Sequence, residues 1–134
     1  MLTSDLLVNC LKKEGVEYIF GIPGEETLYI MESLRKGKMR FIPTRHEQGA
    51  AFMANVYGRI TGKPGVCLAT LGPGASNLLT GVADAYLDRA PLVAITAQAS
   101  LKKAHKESHQ YIDIVKMFQP ATKWNARIER PEVI

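Results

Sequence analysis

Apolar positions along this chain follow two alternating rhythms. Residues 16–20 form a short, nearly continuous apolar run, as in a strand covered on both faces. Ahead of that run, Leu7, Cys10 and Leu11 share one helical face, with Thr3, Ser4 and Asp5 as N-cap candidates and Gly15 as a stop. After it, Gly21-Ile22-Pro23-Gly24 turns the chain. Glu25 and Glu26 then open a helix whose positive end favours acids and whose apolar face is Thr27, Ile30, Met31 and Leu34. Gly37 ends it.

The same unit of strand, loop and helix repeats. Residues 39–44 predict a strand, followed by a loop carrying Glu47 and a helix with Ala50, Met53, Ala54 and Tyr57 on one side. Gly62-Lys63-Pro64-Gly65 breaks that helix, and residues 66–70 predict the next strand. Leu71-Gly72-Pro73-Gly74 leads into a helix bearing Leu78, Leu79, Val82, Ala83 and Tyr86, and residues 91–96 predict a fourth strand. This alternation implies an α/β fold, a doubly wound and mostly parallel sheet with helices on both faces. Beyond Gln98 the rhythm changes. Residues 99–108 read as a loop or weak helix; Tyr111, Ile114, Val115 and Phe118 predict a helix that Pro120 ends. Residues 122–128 alternate, with Trp124, Ala126 and Ile128 on one face, which predicts a half-exposed strand. Arg130-Pro131-Glu132 reads as the first turn of another helix. The single domain, residues 1–134, is therefore expected to be cut before its last helix and strand.

Composition removes several classes of function. A chain of 134 residues suits one domain with one core. The net charge of +4 is modest, and apart from Lys102, Lys103 and Lys106 the lysines are scattered, short of the basic stripe of a nucleic-acid binder. Cys10 and Cys67 show no metal or redox spacing, as expected in a reducing cytoplasm. No apolar run approaches the ~20 residues of a membrane span. No Gly-x-Ser-x-Gly elbow or Walker loop is present to support a hydrolase or nucleoside triphosphatase.

Three groups of residues could carry chemistry. Gly72-Pro73-Gly74-Ala75-Ser76-Asn77 joins a strand to a helix, either as a nucleotide-binding turn or as a plain turn with Ser76 or Asn77 capping the helix. His105 and His109 stand four apart, but two ligands fall short of a closed zinc site, and the neighbouring lysines read as solvated surface or as an attractor of anionic substrate. Glu47 lies at the C-terminal edge of a predicted strand beside Gly49, Ala50 and Ala51, where open α/β sheets bind ligands. By position it is either a functional acid or a structural one, capping the helix or salt-bridged to Arg45 or Arg59.

Taken together, Phe20-Gly21-Ile22-Pro23-Gly24, Arg45-His46-Glu47-Gln48-Gly49-Ala50, Tyr57-Gly58-Arg59, Thr61-Gly62-Lys63, Gly72 through Asn77, Ala83-Asp84-Ala85 and Pro91-Leu92-Val93-Ala94-Ile95-Thr96 occur in a telling order. The chain resembles, from about Thr3 to Asn125, the N-terminal pyrimidine-binding domain of thiamine-diphosphate-dependent enzymes, especially the acetolactate synthase (acetohydroxyacid synthase) large subunit. The resemblance implies that Glu47 hydrogen-bonds the pyrimidine ring nitrogen and exchanges a proton with it, activating the cofactor for attack on a 2-keto acid. It implies that Pro23, Gly24, Gly72, Pro73, Gly74 and Asn77 line the cofactor. Gln110 stands where the synthases place a glutamine at the substrate end of the cleft. His109 replaces their usual Phe, and decarboxylase relatives carry a His-His pair there; an imidazole can move protons near neutral pH.

The implied activity is decarboxylation of pyruvate and ligation to a second 2-keto acid, in a cytoplasmic homodimer or homotetramer that needs neither membrane nor nucleic acid. Mg2+ would be bound with the diphosphate by a later domain, and FAD, where the full-length enzyme has one, by a middle domain; both domains lie outside this chain, which alone should be inactive. A non-oxidative 2-keto acid decarboxylase and a non-catalytic Rossmann-like nucleotide-binding module are the alternatives.

Overall fold

The computed structural model describes residues 2–103, 106 and 108–134. Four strands, β1 (Tyr18–Gly21), β2 (Arg40–Pro43), β3 (Gly65–Ala69) and β4 (Leu92–Thr96), form one sheet in the order β2-β1-β3-β4. Every pairing is parallel: Ile19 is in register with Phe41 and Val66, and Cys67 with Ala94. The connections are α2 (Leu28–Lys36), α3 (Glu47–Thr61) and α4 (Pro73–Leu87); α1 (Thr3–Lys13) precedes the sheet and α5 (Ile114–Phe118) follows it. The α/β class expected from the alternating pattern is what the chain adopts.

Central strand β3 explains why its sequence is apolar without interruption. All five of its residues are buried. Side chains alternate across a strand, so Val66 and Leu68 enter a core with Val8, Leu11, Val16, Ile19 and Leu34, under α1 and α2. Cys67 and Ala69 enter the other core with Ala50, Ala54, Ala75, Leu78, Val82 and Phe118, under α3, α4 and α5. Burial pushes the Cys67 thiol up to about 12, consistent with an inert core residue.

Several local expectations are corrected. Residues 122–128 form no strand, and Trp124 is 78% exposed; alternation alone cannot make a strand where no neighbouring strand accepts its hydrogen bonds. Met53 and Tyr86, expected inside, are exposed, because α3 and α4 meet along smaller residues. A Cβ on Gly81 would stand 2.6 Å from that of Ala51, so the two helices approach to near backbone contact. The N-cap of α1 is Leu2, whose N–H donates to the Asp5 carboxylate at 3.0 Å. Pro120 lies within a 3-10 turn, Gln119–Ala121, that follows α5.

Candidate functional site

The chain leaves β1 toward β2 on one side and, after α3, returns to β3 on the other. The C-terminal ends of β1 and β3 therefore flank the point where strand order reverses, the place where open α/β sheets open a crevice. Three loops meet there: Gly21 to Gly24 after β1, Thr44 to His46 after β2, and Thr70 to Gly72 after β3.

Glu47 is the first residue of α3, half-buried, at a helix end whose dipole favours negative charge. His46 caps the helix, its Nδ1 accepting from the Gln48 N–H at 3.1 Å, which leaves the Glu47 carboxylate out of capping. Neither arginine pairs with it. Arg59 is bound to Asp88 at 2.8 Å, and Arg45 makes no ion pair among the described residues. Instead the Asn77 Nδ2 amide donates to Glu47 Oε2 at 3.0 Å. Oε1 lies 3.5 Å from where a Cβ on Gly74 would be and accepts no hydrogen bond from the described residues.

Asn77 is thus a cross-helix partner and no helix cap. The N-cap of α4 is Gly72, without a side-chain cap, and Ser76 bonds the Pro73 carbonyl at 3.0 Å. The Glu47–Asn77 bond is the first of three polar links between α3 and α4. Asn55 Nδ2 donates to Asp84 at 2.6 Å, and Arg59 to Asp88 at 2.8 Å. Positions 47, 55 and 59 share one side of α3 as 77, 84 and 88 share one side of α4, so the ladder runs along the helix pair, and its first link directs the Glu47 side chain.

The glycine turns converge on Thr70. A Cβ on Gly24 would stand 2.6 Å from the Thr70 Cβ, and one on Gly74 2.7 Å from its Cγ2, so both turns need glycine to close on this side chain. Thr27 fixes the first turn, its Oγ1 accepting from the Gly24 N–H and donating to the Gly24 carbonyl, both at 2.9 Å. Gly72, at φ +57°, has the Gln110 backbone carbonyl where a Cβ would go. Gln98, just past β4, holds that incoming segment by donating to the Ile112 carbonyl at 2.9 Å. Gln110 itself has φ +56°, and both its side chain and that of His109 are exposed.

Of the residues singled out in the sequence, Glu47, Asn77, Gly24, Gly72 and Gly74 come together at one rim, with Pro23 and Pro73 exposed in the same turns. Gln110 reaches that rim through its backbone. His105 lies outside the described residues. Thr70 and Glu26 were missed: the Thr70 hydroxyl donates to Glu26 Oε2 at 2.7 Å. Their signal was a polar residue directly after a strand and an acid directly after a glycine turn.

An open parallel sheet with glycine turns and a half-buried carboxylate gathered at its switch point defines a ligand-binding α/β domain. Residues 1–117 match the family model for the thiamine pyrophosphate enzyme, N-terminal TPP binding domain. The chain belongs to that family. It is 42% identical over 134 residues to a probable acetolactate synthase large subunit of Methanocaldococcus jannaschii, covering 100% of this chain and 23% of that protein. It is 43% identical over 126 residues to an acetolactate synthase of Bacillus subtilis, covering 94% of this chain and 22% of the relative. A chloroplastic acetolactate synthase of Arabidopsis thaliana is 45% identical over 123 residues, covering 91% and 18%. The chain thus spans under a quarter of the length of these relatives.

The donor set fits the ring end of thiamine diphosphate. A carboxylate with one unengaged oxygen, an amide, a hydroxyl and glycine backbone suit a flat heterocycle bearing N–H groups. The set offers acceptors where a diphosphate would need cations.

Proposed function

We propose that this chain forms the pyrimidine-facing wall of a thiamine diphosphate site, with Glu47 as the residue that hydrogen-bonds the ring nitrogen and exchanges a proton with it. The observation that carries this reading is the state of Glu47: Asn77 holds Oε2, while Oε1 lies beside Gly74 and has no donor among the described residues. Asn77 and the α3–α4 ladder orient the acid, and Pro23, Gly24, Gly72, Pro73 and Gly74 give the ring backbone to lie against. When bound, the cofactor supplies the carbanion chemistry; the protein binds, orients and moves one proton at the ring nitrogen. Gln110 and His109 are assigned to the substrate end, carried by a segment packed on Gly72.

The parent enzyme in this reading decarboxylates pyruvate and joins it to a second 2-keto acid, as a transferase or lyase of the cytoplasm; the name acetolactate synthase carried by the relatives supports the synthase part of it. Mg2+, and FAD where the enzyme carries it, belong to regions beyond this domain. The exposed apolar face of α3, with Phe52, Met53, Val56 and Ile60 beside a groove of about 480 Å3, supports assembly with a second copy. Among the described residues no helix is long and apolar enough to cross a membrane.

The test is an NMR titration of the chain with hydroxymethylpyrimidine, the ring half of thiamine. Binding should shift the amides of Gly24, Glu47, Gly74 and Asn77, and Glu47→Ala should weaken it about 30-fold, the loss of one charge-assisted hydrogen bond of about 2 kcal/mol. Equal binding by the two proteins would remove Glu47 from the site.

A further inference from the structure

Glu26 is a second carboxylate at the rim that holds Glu47. It is exposed, in the 3-10 turn Glu25–Thr27 that leads into α2, yet its Oε2 takes the hydroxyl proton of Thr70 at 2.7 Å. Thr70 is half-buried and wedged between Gly24 and Gly74: its hydroxyl lies on the side of Gly24, and its methyl faces Gly74, where a Cβ would also stand 3.5 Å from Glu47 Oε1. The Glu26–Thr70 bond therefore joins the turn after β1 to the end of β3 across the switch point, next to the acid.

A hydroxyl has one proton and two lone pairs. With that proton given to a carboxylate, the bond is stronger than a neutral one. We infer that Glu26 is a positioning residue: through Thr70 it holds together the two glycine turns that frame the Glu47 carboxylate. This rests on the pyrimidine-site reading and deepens it.

The same titration tests it on the full chain. Glu26→Ala should weaken hydroxymethylpyrimidine binding about tenfold, while the melting temperature falls by no more than about 4 °C, the loss of a single bond to an exposed carboxylate. Glu26→Gln, whose side-chain carbonyl can accept the same bond, should bring affinity back to within about threefold of wild type. Thr70→Val keeps the wedge and loses the hydroxyl, so adding Glu26→Ala to it should cost nothing further. Wild-type affinity in Glu26→Ala, no recovery in Glu26→Gln, or a full second loss in the double variant would each overturn the assignment. If Glu47→Ala still weakens binding in those cases, only the role of Glu26 falls. If Glu47→Ala binds as wild type does, the pyrimidine reading falls first and this one with it.

Discussion

The two rims of the sheet are built from the same strands and treat their polar groups in opposite ways. At the N-terminal rim α1, α2, α3 and α4 end, and cations stand in the last turns of α1, α2 and α3 and just beyond them. Their charges are largely spent on protein partners. Lys12 Nζ donates to the Gly37 carbonyl at 2.9 Å, Arg40 donates to the Tyr18 hydroxyl at 2.9 Å, and Lys63 pairs with Glu17 at 2.8 Å. At the C-terminal rim the connecting helices begin, and acids collect there: Glu25, Glu26 and Glu47. There Glu47 is bound by Asn77 through Oε2, and Thr70 ties Glu26 to the end of β3. At one rim the polar groups are largely paired with one another, around a hollow of about 320 Å3 among Lys12, Glu17, Lys38 and Arg40; at the other Glu47 Oε1 accepts from none of the described residues. The difference separates a structural edge from a binding edge without appeal to any motif.

Glycines at the two rims give the largest test of that contrast. Gly65 begins β3 at the N-terminal rim, where a Cβ would run into the Ala54 backbone carbonyl and stand 2.9 Å from its Cα. Backbone cannot swing aside as a side chain can. Gly65→Ala should destabilise the chain by about 3 kcal/mol and lower Tm by roughly 10 °C in a thermal melt. A Tm within about 2 °C of wild type would mean that the α3–β3 contact yields easily, and the N-terminal rim would lose its rigidity.

Those glycines also show what could be read from the residues alone. Gly21, Gly24, Gly62, Gly72 and Gly74 punctuated the pattern where the chain does turn, and continuous apolar runs marked strands buried on both faces. The order of motifs carried the family resemblance, and Glu47 was placed at the correct rim because β2 and α3 were. Partners were harder. By local pattern Asn77 suits a helix cap, but a side chain thirty residues away on α3 claims it. Arg59 was a candidate partner for Glu47 until Asp88, one turn beyond the end of the ladder's middle link, took it. Such choices depend on the α3–α4 register, which Ala51 and Gly81 set by close approach and which no local pattern encodes. The alternation at residues 122–128 failed for the complementary reason: it describes one face of a strand and says nothing of the neighbour needed to make one.

Gly49 gives a smaller effect of opposite sign. It sits exposed in the first turn of α3, and a Cβ there would meet nothing within 4 Å. Glycine in a helix costs up to about 1 kcal/mol relative to alanine through backbone entropy. Gly49→Ala should therefore stabilise the chain by about 0.5–1 kcal/mol in urea unfolding. This would mark the binding rim as one that leaves stability unrealised, unlike the rim of Gly65. A destabilised Gly49→Ala would show that the C-terminal rim is packed as tightly as the N-terminal one.

The smallest effect concerns the N-terminal rim's own ion pair. The hydrogen bond from Lys63, and then its charge, hold the Glu17 carboxyl below its ordinary value of 4.5. A lowered acid contributes stability that is present above the unfolded-state value and is lost as pH falls through the folded one. Both side chains are about half exposed, so solvent screens the pair and the contribution is small. The titration itself is the sharper readout. By NMR the Glu17 carboxyl should titrate with a midpoint below 4.5, and Lys63→Met should move that midpoint up toward 4.5 while the rest of the rim is undisturbed. The same substitution should leave hydroxymethylpyrimidine affinity at the wild-type value, because the pair lies at the opposite end of the sheet from Glu47. A midpoint indifferent to Lys63 would show that the pair is not formed in solution. A changed ring affinity would show that the two rims are coupled through β3.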